Sequence, residues 1–352
     1  MFDIIENSQY WGDNPKLFAA ISTGATPEER MLLCMRWFIS TLHSSYSSRS
    51  TAAGMEKKPY NPILGEQYFA QWDGDKEIGT TVLNAEQVSH HPPIMAFHLE
   101  NKKAGVALEG HTGQKTRFAM PAGIDVSQTG HVIVKLEKFN ERYLVTLPTL
   151  NVRGIVTGRP WVELAGTSYI IGTSGFLTTI EFSTKGYFSG ERHSFKANIK
   201  PIDGGNTVYY AQGTWGGLSN YSTDKKGNGD SKVLFDVNET ERIPPTIKSV
   251  SEMGHLESHK LWAAVTKAIV DKDYAAASRL KSQIEDKQRT LAKERTERGE
   301  TQADALKIFT LVEEDSDETG KAYQDLRAKL IEAAGPKALK EDDTKPHWRL
   351  RV

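Results

Sequence analysis

The sequence holds a single cysteine and almost no net charge. Among 352 residues only Cys34 carries a thiol, which excludes an internal disulfide framework and fits a reducing compartment. Its neighbours Leu33 and Met35 are apolar, so we expect a small core residue rather than a nucleophile. The 44 basic and 45 acidic residues nearly cancel. A general nucleic-acid binder would be strongly basic, so we expect no nucleic-acid partner.

The sequence also lacks a long apolar run. No stretch approaches the roughly 20 residues that a membrane-spanning helix needs. Residues 1–6 contain no basic region followed by an apolar core, so they do not form a secretory signal. We therefore expect a cytoplasmic protein whose contact with organelle membranes is peripheral and transient.

Motifs of common enzyme classes are missing as well. There is no P-loop and no Rossmann glycine pattern. The run from Gly172 to Gly175 does not form a nucleophile elbow, because Phe176 stands where that motif needs its last glycine. We predict that the protein is not an enzyme and uses no cofactor.

The first fifty residues have a helical pattern. Thr26, Pro27 and Glu29 form a capping box with proline at the first helical position. The stretch that follows, residues 31–42, is apolar on nearly all sides, which is typical of a buried helix.

From about Pro59 to Pro245 the pattern changes to short alternating segments separated by glycine-rich turns. Val132, Val134 and Leu136 fall on one face of such a segment, and His131 and Lys135 fall on the other. Many short strands of this kind predict a large antiparallel sheet or barrel.

Beyond residue 245 helical patterns return. One helix is predicted over residues 256–270, and a second follows the N-cap Asp273 and ends near Arg298, before Gly299. The acidic run 313–318 is predicted to be a solvated connection. Because no clear linker separates these parts, we predict one domain over residues 1–352, composed of a helical part (1–55), a β-rich part (56–245) and a second helical part (246–352).

Residues 86–93, Glu-Gln-Val-Ser-His-His-Pro-Pro, are the most informative stretch. Neighbouring residues of a strand point to opposite faces, so His90 and His91 can share one pocket only where the chain bends. Pro92 and Pro93 supply that bend, because proline cannot donate to a strand ladder. The resulting stiff corner suits an anion or a metal. A zinc site needs three or four ligands, whereas only Glu86 is near, so we expect no metal.

Two further sets of polar residues are candidates for binding. Lys58 and Asn61 lie in a proline-rich segment that holds them rigidly. Lys281, Glu285 and Arg289 recur every four residues along the long C-terminal helix, beside its apolar stripe. A solvated loop and ordinary helix ion pairs remain alternative explanations.

At this point the sequence resembles the oxysterol-binding protein-related domain, a family of lipid-binding domains. Residues 86–93 match the family signature without a substitution. Residues 57–62, the Lys281-Glu285-Arg289 row and residues 347–349 resemble its other blocks, in the right order and over essentially the whole chain. The resemblance is greatest to the short fungal sterol and phosphoinositide carriers that consist of this domain alone.

The resemblance implies a β-rich α+β fold, namely a large, nearly complete antiparallel β-barrel around an apolar tunnel, with N-terminal helices and a C-terminal helical region. It also implies that phosphatidylinositol 4-phosphate binds with its acyl chains in the tunnel and its headgroup at the rim. The 4-phosphate would be held by His90, His91 and Arg289. The inositol and its other phosphate would be held by Lys58, Asn61, Lys281 and Glu285.

The same resemblance implies a sterol, of the ergosterol or cholesterol type, as the second lipid. Trp11, Tyr46 and Gln128 match family positions around the polar end of the sterol. Ser45 and Thr112 stand where sterol-binding relatives have amides, and bridging waters would let these shorter side chains serve one hydroxyl. Core packing is the alternative explanation for Trp11 and Tyr46.

These observations predict a monomeric lipid-transfer protein that exchanges phosphatidylinositol 4-phosphate and a sterol between membranes. Two alternatives stay open: an exchanger of phosphatidylserine and phosphatidylinositol 4-phosphate, and a phosphoinositide sensor that does not transport. Relatives carry an amphipathic lid over the tunnel mouth, of which Phe2, Ile4 and Ile5 would form only a stub. Either the lid is naturally short or this chain begins after it.

Overall fold

The computed structural model describes residues 5–46, 60–74, 76–119, 123–155, 158, 161–183, 192–225, 230–312, 317–339 and 347–351. Phe2, Ile4, Lys58 and residues 313–316, for which predictions were made above, lie outside these ranges. Ile5 is described and is fully buried at the start of a 3-10 helix, Ile5–Trp11.

Most of the described chain between residues 67 and 236 is strand, as predicted. The strands are β1 (Gln67–Trp72), β2 (Thr81–His90), β3 (Pro93–Asn101), β4 (Val106–Ala119), β5 (Gly123–Leu136), β6 (Glu141–Thr146), β7 (Thr149–Arg153), β8 (Trp161–Gly172), β9 (Phe176–Ser183), β10 (Ser194–Pro201), β11 (Tyr209–Thr214), β12 (Leu218–Ser222), β13 (Lys232–Asp236), β14 (Phe309–Val312) and β15 (His347–Leu350).

Helices occupy both ends of the chain. They are α1 (Pro15–Ala20), α2 (Pro27–Tyr46), α3 (Ser258–Leu261), α4 (Ala263–Val270), α5 (Tyr274–Glu297) and α6 (Glu318–Ala334). Further 3-10 turns cover Ile21–Thr23, Glu137–Phe139, Ala303–Ala305 and Pro336–Ala338. None of the described helices combines the length and the apolar character needed to cross a bilayer.

Thirteen strands form one antiparallel sheet. Strands β1 to β6 and β8 to β13 follow one another in chain order across it, and β7 pairs with β5 and β8 beside this path. Among the described residues β1 and β13 do not pair with each other, so the sheet remains open between its two end strands. Strands β14 and β15 form a separate pair.

The sheet curls around an apolar core. Leu83 of β2 and Leu234 of β13 belong to one hydrophobic cluster together with Trp37 of α2. A flat sheet of this size would hold β2 and β13 tens of ångströms apart, because neighbouring strands lie about 4.8 Å apart. The predicted large antiparallel sheet, curled like a nearly complete barrel, is therefore confirmed. The tunnel through it stays a prediction.

Helix α2 packs against the inner face of this sheet. Its predicted capping box is present, because Thr26 Oγ1 accepts from the Glu29 N–H at 3.3 Å and Glu29 Oε2 accepts from the Ala25 N–H at 2.9 Å. Arg30 then forms a buried pair with Glu141 of β6, donating from Nε to Oε2 at 2.8 Å. This pair fixes the helix to the sheet, since a buried charge needs its partner in place.

The C-terminal helices differ in part from prediction. The helix expected over residues 256–270 is interrupted at Trp262, where α3 ends and α4 begins. The second helix follows the prediction closely. Asp273 caps α5 by accepting from the Ala276 N–H at 2.9 Å, and Gly299 adopts a left-handed φ of 70° just past its end.

Alternation along β4 and β5 divides the sheet into two faces. Val132, Val134 and Leu136 face the core as predicted, and Ile133 lies on the outer face, where it packs with Tyr323 of α6. Helix α6 of the predicted C-terminal part, 246–352, thus packs on the outside of the sheet. The C-terminal part also contains β14 and β15, which the sequence analysis does not predict.

Three histidines meet beside α6. His111 and His131 project from the outer face of β4 and β5, and His347 comes from β15. His131 Nε2 lies 3.2 Å from His347 Nδ1, and the His131 ring stacks on Tyr323 at 4.2 Å. All four rings are buried. Burial lowers the pKa of His111 and of His347 to about 4 each.

Acid should therefore weaken the fold through this cluster. The unfolded chain takes up protons below a histidine pKa of 6.5, whereas the folded cluster resists them down to about 4, so stability falls as pH falls through this window. Between about pH 7.5 and about pH 5.5 the loss is on the order of 1 kcal/mol for each of the two histidines. Urea unfolding at both pH values measures it.

The variant His347→Gln should lose less stability over the same pH range than the parent, and the exposed control His255→Gln should lose as much as the parent. The comparison must be between variants, because burial raises the pKa of Glu109 on the same face and its protonation offsets part of the loss. Equal losses in His347→Gln and the parent would contradict this account.

Candidate functional site

The two adjacent histidines stand at the turn between β2 and β3. Strand β2 ends at His90 and β3 begins at Pro93. The two imidazole rings lie 4.5 Å apart at 62° to each other, and both side chains are exposed. The register between β2 and β3 also shifts between Gln87 and Ser89. A shift of this kind re-aims the side chains beyond it, so both imidazoles lie on one corner.

Hydrogen bonds from distant segments hold this corner. The Gln87 N–H donates to the Glu66 carbonyl at 2.9 Å, and the Gly65 N–H donates to the Gln87 carbonyl at 2.8 Å. The His90 N–H donates to Gln302 Oε1 at 2.8 Å. Burial and the neighbouring His91 lower the pKa of His90, opposed by a hydrogen bond to the Pro62 carbonyl.

A fully buried carboxylate, Glu86, lies beneath the corner. Its two oxygens accept from the N–H groups of Lys307 at 2.8 Å, Ile308 at 3.1 Å and Phe309 at 2.8 Å. Hydrogen bonds to a charged group are stronger than neutral ones, and a buried charge without them is costly. Glu86 therefore ties β2 to the start of β14, and it does not face a ligand.

Glu66 has a similar role on the neighbouring segment. Its side chain accepts from the Ile63 N–H at 2.9 Å, the Ser258 hydroxyl at 2.8 Å and Trp262 Nε1 at 3.0 Å. Tyr60 stacks on the Trp262 ring at 4.6 Å. The segment from residue 60 to residue 66 is thus bound to α3 and α4.

The polar row of α5 lies next to this segment. Leu280 and Ile284 of α5 pack in one cluster with Tyr60 and Ile63. Lys281 pairs with Glu285 at 3.2 Å, as the four-residue spacing allows. Arg289 instead pairs with Asp286, and its side chain is 72% exposed. Glu285 thus contacts Lys281, and Arg289 contacts Asp286.

Within the described residues, the histidine turn contacts the segment around Asn61, and α5, which carries the polar row, packs against that segment. His90 contacts Pro62, the neighbour of the exposed Asn61, and Gln302 extends from the region after α5 to the His90 backbone. No hydrogen bond or ion pair among these residues joins the histidine side chains directly to Lys281, Glu285 or Arg289.

A second polar group lies inside the curled sheet. Tyr46, the last residue of α2, and Gln128 of β5 exchange hydrogen bonds of 3.0 and 2.7 Å, and Gln128 Nε2 also donates to the Pro148 carbonyl at 2.9 Å. Ser45 is buried and hydrogen-bonded to the Tyr46 phenol. Burial raises the pKa of Tyr46 to about 12, so the phenol keeps its proton at neutral pH.

The remaining predicted sterol residues lie around the same core. Trp11 is 1% exposed and packs against Trp37 and Phe97, with ring centroids 5.6 and 5.4 Å away. Its Nε1 has no hydrogen-bond partner among the described residues. Half-buried Thr112 pairs with Gly130, so it lies on the same inner face as Gln128. Trp11 thus packs in the core and also offers an unused donor.

Comparisons with known proteins agree with these features. The sequence model described as Oxysterol-binding protein matches residues 5–267. Protein KES1 of Mycosarcoma maydis is 44% identical over 300 residues, covering 84% of this chain and 77% of the relative. Protein kes1 of Schizosaccharomyces pombe is 44% identical over 301 residues, covering 84% and 76%.

The chain belongs to the oxysterol-binding protein family.

Solved structures of this family share its fold. The Osh1 ORD domain in complex with ergosterol matches with a TM-score of 0.72 at 19% identity, covering 92% of this chain and 82% of the other. The Osh3 ORD of Saccharomyces cerevisiae in complex with PI(4)P matches with a TM-score of 0.66 at 18% identity, covering 85% and 77%. At these identities the likeness concerns the fold, and it confirms the predicted architecture.

Several residues that shape this oxysterol-binding family site escape sequence reasoning. The sequence draws attention to Glu86 only as a possible metal ligand, whereas its carboxylate anchors the C-terminal segment. Glu66 carries a usable signal, because an acid at a strand start is buried only if it is paired. Gln302 carries none, since a glutamine in a polar stretch is ordinarily solvated.

Proposed function

We propose that this protein is a lipid carrier that binds phosphatidylinositol 4-phosphate and a sterol in one shared cavity and exchanges them between membranes. The observation that carries the proposal is the fixed corner of His90 and His91 beside Pro62 and Gln302, with the polar row of α5 on the adjoining segment. Membership of the oxysterol-binding protein family supports it.

The corner suits the phosphate of a lipid headgroup. A phosphate needs several converging donors, and arginine offers a planar fork. Two imidazoles and the Arg289 guanidinium provide these donors, and Lys281 with Asn61 and Lys58 would serve the inositol ring and its other phosphate. A dianionic phosphate would also favour the protonated form of His90, whose pKa is lowered in the free protein.

The inner polar group suits the single hydroxyl of a sterol. The Tyr46–Gln128 pair and the Trp11 Nε1 donor offer hydrogen bonds in an otherwise apolar interior. Ergosterol and cholesterol are bound by the Osh1 domain, and PI(4)P is bound by the Osh3 domain, which have the same fold. Burying about 400 Å² of apolar lipid surface would stabilise the complex by roughly 10 kcal/mol, so loading and release belong at membrane surfaces.

Phosphatidylserine is the competing candidate for the second lipid. Ser45 and Thr112 replace the amides of sterol-binding relatives, which favours this alternative, because the inner site then has fewer fixed partners for one hydroxyl. A sterol remains the proposed second lipid, because the Tyr46 hydroxyl and the Gln128 amide already form a hydrogen-bonded pair that offers a donor and an acceptor.

Replacing both histidines should abolish phosphoinositide extraction and spare sterol binding. The variant His90→Ala/His91→Ala removes two donors, and Arg289→Glu replaces the guanidinium with a repelling charge. Each should reduce extraction of phosphatidylinositol 4-phosphate from vesicles at least about 100-fold, since hydrogen bonds to a charged group contribute about 1.5–3 kcal/mol each and a reversed charge adds repulsion. The matched control is Lys287→Glu, which lies on the same helix and is also exposed but is off the polar row. Extraction by the double-histidine variant at the parent level would refute the headgroup assignment.

Removing the Tyr46 hydroxyl should weaken sterol binding and leave phosphoinositide binding unchanged. Tyr46→Phe deletes one hydrogen-bonding group, which corresponds to about a fivefold loss of sterol affinity. Fluorescent-sterol titration measures this loss, with Tyr274→Phe on exposed α5 as the control. Mass spectrometry of co-purified lipids gives the decisive comparison, because phosphatidylserine in place of sterol would make the alternative correct.

A further inference from the structure

Strands β4 and β5 form a hairpin that extends beyond β3 on one side and pairs with β7 on the other. Each has 14 residues. Pairing between β3 and β4 ends where Ile94 meets Gly113, so among the described residues the last part of β4, residues 114–119, pairs only with β5. We call residues 114–118 and 124–126 the hairpin tip.

The hairpin tip exposes a large apolar side chain. Phe118 is 76% exposed, the largest value among the exposed large hydrophobic residues of the described chain. Phe118 pairs with Ile124 of β5, which lies on the same face of that strand as Val126 and Gln128. Phe118 therefore lies on the inner side of the sheet. Transfer of this side chain from water into an apolar phase would be favourable by roughly 1.5–3 kcal/mol, the usual value for a fully buried phenylalanine.

The opposite side of the hairpin tip is basic. Lys115 is exposed, and the Arg117 side chain is 82% exposed. Arg117 and Arg153 both approach Asp125, at 3.5 and 3.2 Å. Two cations thus share one carboxylate, and with Lys115 the tip has an excess of positive charge. Ile155, which follows β7 at this end, adds a second exposed apolar side chain.

The hairpin tip and the histidine corner lie at the same end of the sheet. Strand β3 begins at Pro93, and the antiparallel register places its first residues opposite residues 113 and 112 of β4. The tip therefore projects past the corner formed by His90 and His91. A surface that meets Phe118 would also approach the two imidazoles.

We propose that the hairpin tip is an interfacial anchor that docks this end of the protein on an anionic lipid bilayer. An aromatic ring flanked by cations suits the headgroup region of an anionic bilayer. The ring can insert toward the apolar acyl chains, and the cations can contact the negatively charged headgroups. A protein strand is a poorer occupant, because lysine and arginine on an edge oppose strand addition. The inference rests on the proposed lipid carriage, to which it adds the docking surface.

Vesicle flotation tests this proposal with vesicles that contain neither phosphoinositide nor sterol. The parent should bind vesicles of phosphatidylcholine with phosphatidylserine, and bind less to phosphatidylcholine alone or in high salt. Phe118→Ser should bind about tenfold more weakly. Arg117→Glu should bind at least about fivefold more weakly, since one cation near the surface is worth about 1 kcal/mol. The control Val270→Ser changes another exposed apolar residue, 74% exposed, and should bind as the parent does.

Parent-like binding by Phe118→Ser, an equal loss in Val270→Ser, or no binding by the parent would overturn the proposal. Loss of self-association in Phe118→Ser, seen by sedimentation, would also overturn it, because the occupant would then be a second copy. Water-soluble, short-chain phosphatidylinositol 4-phosphate separates this inference from the proposed function. Phe118→Ser should bind that lipid like the parent, whereas a parent that does not bind it would contradict the headgroup site and leave the anchor standing.

Discussion

The buried carboxylate of Glu86 is the interaction on which the rest of the site depends. It has no solvent exposure and accepts from three consecutive backbone N–H groups, more than 200 residues away in the chain. A charge in such a place is tolerable only when these donors are all present. Strand β2 therefore cannot carry its histidines in place unless the C-terminal segment has docked. Glu66 imposes the same condition on the segment before β1 and on α3 and α4.

These two anchors explain how the histidine corner is assembled from parts that are remote in sequence. The histidine turn, the segment around Asn61 and the start of α5 come from three regions, and each is fixed to the others by buried hydrogen bonds or packing. Groups fixed before a ligand arrives lose little conformational entropy on binding it.

The sequence predicts those parts of the fold that local chemistry decides. The α2 capping box, the Asp273 cap and the alternation of Val132 and Val134 each follow from neighbouring residues, and each is present. The break at Trp262 is not predicted, because it arises where the Trp262 indole reaches the distant Glu66. The short strands β14 and β15 are not predicted either, because each forms by pairing with a segment that is distant in sequence. Within the site, motif resemblance supplies candidate residues, but it cannot predict that Arg289 pairs with Asp286.

The proposed carrier would bind a phosphate at the histidine corner and a sterol hydroxyl at the polar pair inside the curled sheet, one lipid at a time. Exchange between two vesicle populations tests this claim most directly, by following sterol in one direction and phosphatidylinositol 4-phosphate in the other. Sterol transfer should accelerate when phosphatidylinositol 4-phosphate is present on the acceptor vesicles, and that lipid should move back in proportion. Sterol transfer at the same rate with and without phosphatidylinositol 4-phosphate would contradict the account.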